Sequence, residues 1–393
     1  MSKIEYSIDE LHNLVHLGLR SNLLTSSYKD RWLPNVAADI IHDLKINGNP
    51  LKNSFYKNMK LKTLTDHMNV ASSTKNRGHI HEHDDSEITI DDGVACTLDR
   101  VSYKFKLVEP MQRYNKVKNY EPYFQPTNRI SDLCLLNSTG PIQLKVSKDT
   151  KLSTTISYVD NYGDTDVSCV LLIVDIGKHS KVDLDEMFVN KDGQKLYNIL
   201  YLVRDGAELN LTRNFDITNK DNAMNVVESK VIQFPNSSFK YTVTGEGSKH
   251  TQDILNVDVH EYCNTEIKGS FYCYENFVNN SVANIHHIGK NSKSRVDIKS
   301  IIDDNAHSSF LGCITVDKDA TGVDAELYNK NLCVSDNATV ITEPQLDINT
   351  KDIMCKHGCT ISNISKEQLY YLNSRGIENY KSEDILQQCF LAN

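Results

Sequence analysis

The sequence predicts a mainly-β protein built as a solenoid of short strands with helical segments at both ends. Three observations predict it. From about residue 96 to 350 the apolar residues recur with a period of two: Tyr103, Phe105 and Leu107; Ile142, Leu144 and Val146; Leu209 and Leu211; Phe239, Tyr241 and Val243; Val296 and Ile298. No amphipathic helix interrupts this zone, which argues against a βαβ sheet. A turn-former followed by a small residue also recurs, at Gly206-Ala207, Asn236-Ser237, Asn264-Thr265, Asn291-Ser292, Asn305-Ala306, Asp319-Ala320 and Asn337-Ala338, with steps of 30, 28, 27, 14, 14 and 18 residues. The long steps are about twice the short ones, the rhythm of stacked coils with one strand per short step. A β-sandwich or jelly roll with regularly spaced hairpins competes. Two-residue hairpin turns are scarce, however: Asp192-Gly193 and Asn47-Gly48 do not lie between clean alternating strands. That scarcity favours parallel coils.

The chain divides at about residues 95 and 358. In 1–95, Ser7 with Glu10 forms a capping-box pattern, and Ile8, Leu11, Val15 and Leu19 then share a helical face. A second helix is expected over Val36–Leu44, after Pro34, and 71–95 reads as a polar loop. Residues 96–358 form the strand-rich core. In 359–393, Ser365 is placed to cap a helix with Gln368 answering it, and Gly376 to end that helix in a left-handed cap. Ser382 opens a second short helix carrying Ile385, Leu386, Cys389 and Phe390. Two such helices are too small to form a core, so they must pack on the solenoid or on another chain.

Composition excludes several classes. Of 393 residues 39% are hydrophobic and 24% charged, which permits a packed core. A net charge of −9 with scattered basic residues argues against nucleic-acid binding. No apolar run reaches membrane-spanning length, and the first residues resemble neither a signal nor a transit peptide, so a cytoplasmic protein is expected. The ten cysteines are irregularly spaced, as free thiols are. Nucleotide-binding loops and nucleophile elbows are missing, so no bound nucleotide and no catalysis by this chain are expected.

Three clusters could carry chemistry. His79, His81 and His83 would share a strand face and could bind zinc or iron, or lie in a solvated loop. The adjacent His286 and His287 would point to opposite faces of a strand and cannot easily ligate one ion. Cys355, His357 and Cys359 would share one strand face, and thiolate and imidazole suit iron, zinc or copper(I). A closed structural site takes about four ligands, and no second clustered pair exists. The segment is therefore either a buried thiol-rich strand or a partial site completed by another chain. Paired acids such as Asp303-Asp304 would suit a β-solenoid carbohydrate enzyme only if they flanked a cleft.

The C-terminal residues carry a family resemblance. Asn331-Leu-Cys-Val-Ser-Asp336, Glu343-Pro-Gln-Leu-Asp-Ile348, Lys351-Asp-Ile-Met-Cys355-Lys-His357-Gly-Cys359-Thr360 and Glu367-Gln-Leu-Tyr-Tyr-Leu-Asn-Ser-Arg-Gly-Ile377 resemble the signature of the SufB/SufD family of iron–sulfur cluster assembly proteins, in its SufD branch. The run over 285–316 resembles the family too. The likeness is continuous over roughly 280–393 and pattern-like over 96–280. Cys359 departs from the alanine usual in the family. The resemblance implies a right-handed parallel β-helix flanked by helical regions. It implies a non-catalytic scaffold that pairs with SufB through the β-helices and binds the SufC ATPase through the C-terminal helices. It implies that His357 lies at the SufB interface as a ligand for transient iron of a nascent cluster shared with SufB, with Cys355 as a second ligand or a neighbour. It places Tyr371, Arg375 and Gly376 in the SufC-docking motif. A homodimer that binds a cluster by itself is the alternative within the family.

Overall fold

The computed structural model describes residues 87–91, 94–96, 105–108, 123, 142–159, 167–189, 193–215 and 223–392. The two N-terminal helices expected from Ser7 and over 36–44, and the cluster His79–His83, lie outside the described residues.

Nineteen strands in two sheets and two C-terminal helices make up the described structure. One sheet holds β1 (Glu87–Asp91), β2 (Val94–Cys96), β5 (Lys151–Val159), β7 (Lys181–Val189), β9 (Glu208–Phe215), β11 (Ser238–Glu246), β13 (Asn264–Cys273), β15 (Lys293–Ile302), β17 (Val323–Cys333) and β19 (Ile353–Asn363). The other holds β3 (Phe105–Val108), β4 (Ile142–Val146), β6 (Val167–Ile176), β8 (Gln194–Val203), β10 (Met224–Gln233), β12 (His250–Val259), β14 (Val278–His287), β16 (His307–Val316) and β18 (Thr339–Ile348). From β4 onward successive strands alternate between the sheets, and each pairs in parallel with the strand two places away. Each coil is thus two strands and two turns. Paired residues are separated by 26 positions at Met224–His250 and by 32 at His307–Thr339. This is a parallel β-solenoid, as the period of two and the scarcity of hairpins predict.

The alternation legible in the sequence belongs mostly to the first sheet. In β7 the residues Val182, Leu184, Glu186 and Phe188 are buried and their neighbours face out. Strands of the second sheet, such as β10, are buried on both faces and show no two-residue alternation, with polar residues such as Asn225 and Ser229 buried beside the apolar ones. Inward side chains stack coil upon coil, for example Leu184, Leu211, Tyr241, Ile267, Val296 and Leu327, in register and all in one core cluster. Each such side chain contributes about 1.5–3 kcal/mol on full burial.

The turns that lead into the first sheet explain the turn-former-plus-small rhythm. At this corner Asp149, His179, Gly206, Asn236, Tyr262 and Asn291 take left-handed backbone conformations. Their N–H groups donate to the turn of the next coil, as Asn236 to Glu261 O at 3.0 Å and Tyr262 to Lys290 O at 3.0 Å. A small buried residue follows in Ser180, Ala207, Ser237, Cys263 and Ser292. Three anchors read from the sequence need correction. The corner near 264 is Tyr262-Cys263, not Asn264-Thr265, because a tyrosine there adopts the left-handed turn and a cysteine fills the small position. Asn305-Ala306, between β15 and β16, and Asn337-Ala338, between β17 and β18, lie at the opposite corner, which is why the steps around them are about half a coil.

A charged network sits inside the column. Glu186 and Arg213 occupy inward positions in register on β7 and β9, and Asp253 comes from the facing sheet. The Arg213 guanidinium contacts Glu186 Oε2 and Asp253 Oδ1, both at 2.7 Å. Tyr158 and Tyr201 donate to Glu186, Tyr241 donates to Asp253, and Arg213 also donates to Ser229. Burial pushes the Asp253 carboxyl up, a shift that Arg213 partly offsets.

Candidate functional site at the open end of the solenoid

The two ends of the column differ. At the start, β2 pairs antiparallel with β1, and β3 pairs antiparallel with β4, so both sheets begin with a turned-back strand. At the other end, among the described residues, β18 pairs only with β16 and β19 only with β17. Their outer edges present unpaired backbone groups, a template for another chain. Among the described residues β2 and β3 also pair on one side only, so the ends differ in strand direction, antiparallel at β2 and β3 and parallel at β18 and β19.

β19 carries the Cys-x-His-x-Cys segment. In its register with β17, Cys355 lies opposite Ala325, His357 opposite Leu327 and Cys359 opposite Asn329. Those three β17 residues are fully buried and inward, so Cys355, His357 and Cys359 share the inward face, above the last complete layer of core. The common face expected of alternate strand residues is therefore present. Ile353 and Cys355 are half-buried and pack on the core, and burial pushes the Cys355 thiol up. His357 and Cys359 are exposed. Alternate residues stand about 6.6 Å apart along a strand, so the three donors cannot close on one ion. No group of three or more metal-ligating side chains gathers elsewhere among the described residues.

Helix α1 (Lys366–Ser374) follows as the sequence predicts. Ser365 Oγ accepts from Gln368 N at 3.3 Å. Gly376 ends the helix at φ 85°, with Gly376 N donating to Asn373 O and Ile377 N to Leu372 O, a Schellman arrangement. Helix α2 (Asn379–Ala392) begins three residues before the expected Ser382. Ser382 does not cap it: the side chain is buried and donates to Asn373 Oδ1 at 2.9 Å, tying α2 to α1. Lys299 Nζ donates to Leu391 O at 2.8 Å and holds the end of α2 on β15. Tyr370, Tyr371 and Tyr380 are 77%, 57% and 64% exposed, and the Arg375 guanidinium lies 5.3 Å from the Tyr371 ring centre. Three exposed tyrosines are thus carried by the helices that follow β19.

The other candidates resolve differently. His287 is buried, with its ring nitrogens 2.7 Å from Ser292 Oγ and 2.9 Å from Ser294 Oγ, and desolvation lowers its pKa to about 4. His286 faces out, 2.8 Å from Asp317 Oδ1. The pair does point to opposite faces. Asp303 and Asp304 build a turn: Asp303 Oδ1 accepts from Asp304 N, and Asp304 Oδ2 from Glu275 N. The outer face of the first sheet alternates in sign, as at Lys181–Glu208 and Arg295–Glu326–Lys356, which is not an acidic cleft. Sequence reasoning missed Arg213, Glu186 and Asp253. The available signal was a charge at an inward position of an otherwise apolar alternation.

These features define a parallel β-solenoid whose last strand of the first sheet carries Cys355, His357 and Cys359 on one face. Comparison with known proteins narrows the class. The family model described as the SUF system FeS cluster assembly, SufBD core domain, matches residues 160–390, more than half of the chain. The chain belongs to this SufBD family. It is similar to the iron–sulfur cluster assembly protein SufD of Escherichia coli K12, 37% identical over 94 residues, or 24% of this chain and 22% of that one. It is similar to SufD of Bacillus subtilis 168, 25% identical over 269 residues, or 64% of this chain and 59% of that one. A SufBD family protein of Synechocystis is 35% identical over 92 residues, 23% of this chain and 20% of that one. The matched stretches thus cover from a fifth to about three fifths of these relatives. Among the described residues, no helix is long and apolar enough to cross a membrane.

Proposed function

We propose that this chain is the SufD-like scaffold subunit of an iron–sulfur cluster assembly complex. It pairs with a SufB-like subunit at β18 and β19, and it docks a SufC-like ATPase on α1 and α2. The observation that carries the reading is His357: an exposed imidazole on a terminal edge strand, above the core, with no ligand cluster around it among the described residues. A strand from a partner would satisfy the bare edge groups and bring further donors over the lumen. Iron is the cargo. A neutral imidazole lends a nitrogen lone pair to it while the partner supplies thiolate or sulfide. Cys355 lies on the same face, one alternate position back along the strand.

The helices supply the second contact. Tyr371, Arg375 and Gly376 stand where α1 ends, and the hydrogen bond between Ser382 and Asn373 makes α1 and α2 move together. Lys299 anchors the far end of α2 to the solenoid, so a displacement of a docked ATPase reaches the column through β15. Within 359–393 the docking role is assigned to α1 and α2; the scaffold is assigned to 96–358 with β19 running on to Asn363, and 1–95 to an N-terminal region whose β1 joins the first sheet. No catalysis and no bound nucleotide are assigned to this chain, and it works in the cytoplasm.

The test is His357→Ala in a complex reconstituted with the SufB-like and SufC-like subunits. The variant is expected to co-purify with both partners and to lose cluster formation. Normal cluster formation by the variant refutes the reading. A self-sufficient homodimer is separated by anaerobic reconstitution of the chain alone, followed by visible absorption and iron counting. It would give a stable chromophore, and the hetero-complex reading gives none.

A further inference from the structure

We infer that Cys359, rather than Cys355, is the thiol this chain offers beside His357 to the cargo iron. The inference rests on the reading of the open end as a shared half-site. His357 lies between the two cysteines on the same face of β19. Each is about 6.6 Å from it along the strand, and the cysteines are about 13 Å from each other. One ion bound by His357 can therefore take only one of them, and the choice is binary.

Two observations favour Cys359. Cys355 packs against the hydrophobic core, half-buried beside Ile353 and opposite Ala325. Turning its sulfur to an ion above the lumen would give up that contact and leave a charged thiolate over an apolar floor. Cys359 is exposed and has no such contact to lose. Its floor is polar: Asn329, opposite it, is fully buried and donates from Nδ2 to Ile298 O at 3.1 Å. Asn331 donates to Asn329 Oδ1 at 2.5 Å and to Thr360 O at 3.3 Å. The second of these bonds pins β19 at the residue next to Cys359. The asparagine pair thus holds the strand in place where the thiol projects, and it supplies dipoles rather than methyl groups beneath it. On binding, the Cys359 thiol releases its proton to solvent and the thiolate sulfur donates an electron pair to ferrous iron; no electron is transferred.

The test compares Cys359→Ala, Cys355→Ala and His357→Ala in the assembled complex under anaerobic conditions, each confirmed to co-purify with its partners. Ferrous iron alone is the probe, titrated for affinity and examined by X-ray absorption for sulfur neighbours. Cys359→Ala is expected to weaken iron binding roughly tenfold or more and to remove one sulfur from the shell, as loss of a site residue typically does. Cys355→Ala is expected to leave both unchanged. If Cys359→Ala leaves affinity and sulfur count unchanged while His357→Ala weakens binding, the assignment of Cys359 falls and the shared site stands. If His357→Ala also changes nothing, the shared site itself falls.

Discussion

Replacing Arg213 by methionine removes the cation from a network with two carboxylates and no access to water. Arg213 and Glu186 have no solvent exposure at their side chains, and Asp253 has 5%. Without the guanidinium, Glu186 and Asp253 must remain charged in the core or take up protons. Neutralising one carboxylate of ordinary acidity at pH 7 costs about 4 kcal/mol, three units at 1.36 kcal/mol each. Breaking a buried ion pair from one side typically costs about 3–5 kcal/mol, so the two routes agree. The variant is therefore expected to lose about 3–5 kcal/mol at pH 7 in urea unfolding followed by far-ultraviolet circular dichroism. The loss must also depend on pH. With the cation gone, Asp253, which burial already pushes up, would titrate further above its unfolded value, so the folded state binds more protons and the variant gains stability as pH falls. Measured against the parent at each pH, the loss should be smaller at pH 5 than at pH 7. Adding Glu186→Gln and Asp253→Asn keeps acceptors for Tyr158, Tyr201 and Tyr241, and should recover at least half of it. A loss below about 1 kcal/mol at pH 7, or an equal loss at both pH values, would refute the reasoning.

Two further outcomes follow from the same coordinates. Burial holds His250 and His287 near pKa 4, below the usual 6.5, so the unfolded chain binds more protons between these values. Their contribution, about 3 kcal/mol each, is complete above pH 6.5 and is lost as pH falls toward 4; a melting temperature that stays level across that window would contradict it. A Cβ at Gly289 would stand 2.1 Å from Glu261 N and 2.3 Å from His260 C, both backbone atoms of the neighbouring coil. Gly289→Ala should therefore destabilise by at least about 1–3 kcal/mol in the same urea assay, and a neutral result would show that the coils separate there more easily than their packing implies.

Much of this architecture was legible because it is local. Alternation of apolar residues marks any strand with one wet face, and Val182 to Phe188 or Phe239 to Val243 display it. The cap at Ser365 and the stop at Gly376 are set by neighbours within four residues, and both stand where the sequence places them. Second-sheet strands such as β10 are buried on both faces and carry no alternation to read. Ser382 misleads because its hydroxyl serves Asn373 on another helix. The turn at Tyr262 misleads because hydrogen bonds from the next coil hold a residue that rarely turns left-handed by itself. Arg213, Glu186 and Asp253 meet across 27 and 40 residues of sequence, and only the coil length brings them together. At the open end, the sequence supplies the shared face of Cys355, His357 and Cys359. The difference in their surroundings depends on what β17 places beneath each.

Hydrogen–deuterium exchange across β19, with and without the SufB-like subunit, tests the central claim most directly. If the edge of β19 is the joint, the amides of Ile353–Asn363 are slowed on complex formation while those of β1 and β2 at the opposite end keep their rates. Unchanged exchange along β19 in a complex that has demonstrably formed would mean that the second chain binds elsewhere, and that His357 faces only water.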